Sequence, residues 1–154
     1  MYACLLVEYI YLILTIISGI HFMSRSESST EQTIKYREEC RSTIELSPKI
    51  RYVGIINRFG RTLAGQLRKG VIPLFKPEEA RNEFFIEAIR SQLRKNFETS
   101  IGKTCYTLTE NEKVKILTIS KEDNFYYVTI DNDASSEEIS KIIELIRSST
   151  YDKK

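Results

Sequence analysis

The one histidine of this 154-residue chain, His21, lies in an almost wholly apolar N-terminal stretch. No Ser-His-Asp or Cys-His pair can therefore assemble in the rest of the sequence. Cys4, Cys40 and Cys105 show no metal-ligand or redox spacing. With no base beside them, Cys40 and Cys105 are expected to be buried as small hydrophobes. Gly54, Gly60, Gly65 and Gly70 match neither the dinucleotide nor the nucleotide phosphate-loop pattern. Glu110 and Glu112 flank a turn, where carboxylates are ordinarily solvated. Enzymatic chemistry, metal ligation and a resident cofactor are accordingly not expected. The odd cysteine count and the lack of any Asn-x-Ser/Thr site point to a reducing compartment.

Charge is the sharper lead. The whole chain carries a formal +2, but residues 49–97 hold 11 basic against 4 acidic groups, net +7, between flanks of −2 and −3. Arg58 and Arg61 bracket a turn, Arg68 and Lys69 follow the next strand, and Arg81, Arg90, Arg94 and Lys95 belong to a helix. Positions 90 and 94 share a helix face, and the guanidinium fork suits carboxylate or phosphate. These eight residues are the candidates for docking an anionic partner: an acidic protein surface, a lipid head group or a nucleic-acid backbone. The competing expectation is a solvated helix face with a Glu87–Arg90 pair. Nucleic acid is disfavoured, because no recognition helix or stacking platform is visible.

The elements that position these residues follow from periodicity and capping. Ser28-x-x-Glu31 is a capping box opening a helix over about 30–45, stopped by Ser47-Pro48. Ile50 to Ile56 predicts a strand covered on both faces, with Ile50, Tyr52 and Ile56 opposite Val53 and Ile55. Gly54 in its middle implies a close approach by a helix or backbone. Asn57-Arg58-Phe59-Gly60 is a hairpin turn leading to a return strand over 61–67. A loop with Gly70 and Pro73 precedes a helix from Pro77 to about Phe97, carrying Ala80, Phe84, Ala88 and Phe85, Ile89, Leu93 at helical spacing. Gly102 is expected as a left-handed cap. Strands over 103–109, 113–120 and 125–131 follow, joined by turns too short for anything but antiparallel neighbours. Phe125, Tyr126 and Tyr127 read as core plus exposed edge, or as a pocket lining. Ser135-x-x-Glu138 opens a last helix with Ile139, Ile142, Ile143 and Ile146 on one face, followed by a polar tail after Ser148.

This predicts an α+β domain: one five-stranded antiparallel sheet with helices on both faces, in the order α-β-β-α-β-β-β-α. Its parts are an apolar segment 1–23, a polar lead and first helix 24–48, a core 49–149 and a tail 150–154. The apolar segment has the length of a transmembrane helix, and the basic residues after it would leave the domain in the cytoplasm. The alternative is a start wrongly placed upstream of Met23.

The element order over 30–148, with Tyr52-Val53-Gly54-Ile55-Ile56-Asn57-x-x-Gly60-Arg61 in the first hairpin, resembles the roadblock branch of the profilin-like folds. The hairpin, the Arg90-x3-Arg94-Lys95-x-Phe97 helix end and Ile101-Gly102 resemble more closely a family of uncharacterised small archaeal proteins, from which no activity follows. The roadblock resemblance implies one helix on one face of the sheet and two on the other. It also implies a non-enzymatic homodimer that regulates a small GTPase or scaffolds a signalling complex. Two other readings stand beside it. One is a small-molecule sensor of PAS or Cache type, with a cavity bounded by Gly54, Gly65 and residues 125–127. The other is anion or nucleic-acid binding through the basic middle third.

Overall fold

A computed structural model describes residues 30–151. The apolar segment 1–23, the polar lead with its Ser28 capping position, and residues 152–154 lie outside the described residues. Residues 30–45 are helical, here α1, and from Tyr36 onward the chain forms one compact unit. The order continues β1 (Ile50–Asn57), β2 (Thr62–Leu67), α2 (Pro77–Lys95), α3 (Glu98–Ile101), β3 (Tyr106–Glu110), β4 (Val114–Lys121), β5 (Asn124–Asp131) and α4 (Ser136–Tyr151). The strands make one sheet in the order β2-β1-β5-β4-β3, with every neighbouring pair antiparallel. The fold is the α+β arrangement expected from the sequence, one five-stranded antiparallel sheet with helices on both faces.

Two cores sandwich the sheet. On one face Cys40 and Ile44 of α1 and Ile139, Ile142, Ile143 and Ile146 of α4 pack on Val53, Ile55, Leu117, Ile119, Tyr126 and Val128. On the other face α2 alone contributes Phe84 and Ala88, against Ile56, Val114, Ile116, Phe125 and Tyr127. β1 and β5 sit inside the sheet and are covered on both sides, which is why their sequences are nearly unbroken apolar runs. α4 opens with the predicted box: Ser135 Oγ accepts from the Glu138 N–H at 3.2 Å, and the Ser135 N–H donates to Glu138 Oε2 at 2.8 Å. The Glu138 carboxyl is held below its ordinary value, chiefly by the bond from the Ser135 backbone N–H.

Several local expectations are corrected. Ile50 packs with Val53 and Ile55 rather than opposite them, because the β1–β5 pairing slips between Ile50 and Tyr52 and one extra residue reverses the alternation. What crowds Gly54 is a side chain: a Cβ there would sit 2.7 Å from Tyr52 Oη, and one on Gly65 2.5 Å from the same atom. The nearest atoms at both positions belong to the Tyr52 ring, not to a helix or another backbone. Phe125, Tyr126 and Tyr127 are all buried, none on an exposed edge, since β5 is central. β3 begins at Tyr106, so Cys105 precedes the strand and is exposed, against the expected burial. α2 stops at Lys95, and α3 follows as a separate turn. Gly102 closes α3 with φ 79° and ψ 174°, a corner open to glycine but not the left-handed cap. The last helix runs to Tyr151, past Ser148.

Candidate functional site

The eight basic candidates do not form one patch. Arg68 is half-buried and leaves the set altogether. Its Nε donates to the Ile50 carbonyl at 2.6 Å, and Nη2 donates to the carbonyls of Ser47, at 2.6 Å, and Ile44. It thus caps the Ile44 carbonyl in the last turn of α1 and ties that end of the helix to the start of β1. Arg58 stacks over Phe59, 4.9 Å from the ring centroid, and shares a groove with Lys95 between the first hairpin, α2 and the β4–β5 turn. That groove also holds Glu98, Glu122 and Asp123. Arg90 and Arg94 do share a face, beside Thr104, Thr107, Thr118 and Ser120. Arg90 is committed to the buried Glu87 carboxylate at 2.8 Å, the pair expected from the sequence. Arg61, Lys69 and Arg81 are exposed at separate places.

The more coherent surface is apolar. Phe85, Ile86, Ile89 and Leu93 line the outer face of α2, next to Phe97 and Ile101, and all are between 41% and 67% exposed. Spacings of three and four put the first four in one stripe beside the buried Phe84–Ala88 stripe. Helical periodicity registers both stripes, but only the sheet's single covering of α2 decides which is buried. Beside α2 an open groove of about 860 Å³ runs to the β3–β4 hairpin, bounded by Phe75, Ile86, Arg90, Thr109 and Val114. β3 is one edge of the sheet, and Tyr106 and Leu108 stand exposed on it.

The two sheet edges differ in protection. β2, Thr62–Leu67, is itself uncharged but is flanked by Arg61 and Lys69, cations that discourage pairing beyond its ends. At the other edge the run Thr104-Cys105-Tyr106-Thr107-Leu108-Thr109 is uncharged, and β3 ends on Glu110, which pairs with Lys115 at 3.4 Å. Sequence reading could have found this from the uncharged run, had the strand been known to lie at an edge.

The rest of the buried polar chemistry is structural. Glu39 of α1 accepts from Lys121 Nζ and from Tyr126 Oη, both at 2.8 Å, tying the helix to the β4–β5 hairpin. Lys49 and Asp133 pair at 2.7 Å; the contact raises the lysine and lowers the carboxylate from their ordinary values. Among the described residues no group of His, Cys, Asp and Glu could hold a metal. No described helix is long and apolar enough to cross a membrane.

No protein-family model matches the sequence, and no curated protein resembles it. Solved structures do. The gliding protein MglB of Thermus thermophilus is 14% identical, with 79% of this chain and 87% of that one covered at a TM-score of 0.61. A roadblock/LC7 domain from Streptomyces avermitilis is 9% identical over 73% of this chain and 95% of that one, at 0.52. Schizosaccharomyces pombe profilin is 16% identical over 74% and 94%, at 0.52. The likeness is one of fold, and the fold is roadblock/profilin-like.

Proposed function

We propose that this chain is a non-catalytic docking module that works as a homodimer and regulates or scaffolds a partner from the cytosolic side. The observation that carries this reading is the pairing of the uncovered α2 stripe with the β3 edge, where Tyr106 and Leu108 stand exposed. A two-fold axis beside β3 would join two sheets into one of ten strands and bring the two α2 stripes together, burying both exposed apolar features at once. Such an interface is isologous, so each α2 residue supplies half of its own cover.

The partner class follows from the roadblock resemblance, which implies a small GTPase. Arg81, Arg94 and Lys95 remain exposed on α2 beside the stripe and would meet the partner's acidic side chains. Charge of that kind sets encounter rate and specificity more than affinity.

Light scattering of the full chain tests the dimer, with a mass of twice 17.9 kDa expected. Ile89→Glu with Leu93→Glu should return it to the monomer mass. A monomer in the parent chain, or an oligomer indifferent to both substitutions, would defeat the proposal.

A further inference from the structure

A second cavity lies on the α2 side of the sheet, away from the β3 edge. Its volume is about 140 Å³. Three aromatic rings wall it: Tyr52 and Phe84 stack with centroids 6.3 Å apart, and Phe84 meets Tyr127 edge-on at 4.9 Å. The loop between β2 and α2 covers it with Val71, Ile72, Pro73, Leu74 and Phe75, five apolar residues in succession. Ile72 is 81% exposed at the rim. An apolar loop laid over an aromatic hollow is unusual in a segment whose surroundings are otherwise charged.

Arg51 and Tyr127 at this cavity are already engaged. Arg51 donates to Asp131 at 2.7 Å and to the Ile72 carbonyl at 3.2 Å, which fastens the loop. Tyr127 Oη donates to Glu83 at 3.2 Å. Burial pushes the Tyr52 hydroxyl up to about 12, so it stays neutral. A cavity walled mainly by apolar side chains holds water poorly, and an apolar cavity of about 150 Å³ is large enough for a benzene ring. Arg51 at the mouth opposes a cationic guest, and its pairing with Asp131 leaves no charge for an anion.

We infer that this cavity is a binding site for a small neutral ring compound, a single aromatic or alicyclic ring with short apolar substituents. The site does not depend on the dimer or on a GTPase. Occupancy would tie the β2–α2 loop to the first turns of α2, which carry Ala80 and Phe84 on the cavity wall.

Fluorobenzene, followed by fluorine NMR linewidth on the full chain, is the probe. Saturable binding is expected below the solubility limit. Ala80→Leu and Leu67→Phe, which fill the cavity from opposite walls, should each weaken binding about tenfold or more. Circular dichroism identifies whichever variant remains folded, and Ile89→Glu, on the outer α2 stripe, should leave binding unchanged. Absence of saturation overturns the inference. So does equal binding by a folded filled variant, which would place the probe on an exposed apolar surface. Binding that appears only in Ile72→Ser would mean that Ile72 itself occupies the hollow, and overturns it as well.

Discussion

Arg68 shows how far residue type alone can mislead. In sequence it is one cation among eleven in a basic third, and its neighbour Lys69 looks equivalent. In the structure its planar fork reaches three carbonyls around the end of α1, a task the single ammonium of lysine cannot repeat. Arg68→Ala should cost about 2 kcal/mol in chemical denaturation, the range for bonds to a charged donor. Arg68→Lys should recover little of it, whereas Lys69→Ala should cost almost nothing.

The two described cysteines diverge in the same way. Burial, with the Glu39 charge adding to it, pushes the Cys40 thiol from 9.0 to about 11, while Cys105 is exposed. At pH 8 iodoacetamide should modify Cys105 in the native chain and Cys40 only on unfolding, as peptide mass mapping would show. Below pH 9 the thiol is protonated in both states. Between 9 and 11 it ionises in the unfolded chain first, so stability falls with rising pH across that window. Cys40→Ala should flatten the fall; an unchanged slope would contradict the burial.

At the scale of elements, α2 and α4 answer the same periodic signal differently. α4 buries Ile139, Ile142, Ile143 and Ile146 beside α1, and all four are less than 9% exposed. α2 lies by itself on its face of the sheet and buries a narrow line of Phe84, Glu87 and Ala88. Ile142→Ala should therefore cost about 3 kcal/mol of unfolding free energy through the cavity it leaves. Leu93→Ala should change monomer stability by less than about 0.5 kcal/mol, and its effect should be read in the dimer dissociation constant instead. Equal losses at both positions would mean that the α2 stripe is covered within one chain.

The whole molecule is a sheet with β2 at one edge and β3 at the other. An edge strand with exposed apolar side chains, here Tyr106 and Leu108, invites pairing with whatever chain presents a matching one, and a second copy is the partner always at hand. Lys substituted into that strand supplies the corresponding test: Leu108→Lys should weaken self-association without unfolding, because that side chain already stands exposed and leaves room for the stem to reach solvent. The aromatic hollow lies elsewhere, so a ring compound and a second copy can be bound together.

Local order was legible in the sequence because it rests on local physics. The α4 capping box, the Asn57–Gly60 turn with φ 77° at Gly60, and the double-sided strand β1 are all written in spacing and residue type. What lies opposite what was not. The slip beside Arg51, the Tyr52 ring over Gly54 and Gly65, and the exposure of Phe85, Ile89 and Leu93 depend on partners distant in the chain. A side chain's own pattern states that it is apolar and which neighbours share its face. Only the assembled sheet, by placing β5 at its centre, β3 at its edge and a single helix on one side, determines which of those faces meets protein and which is left to meet something else.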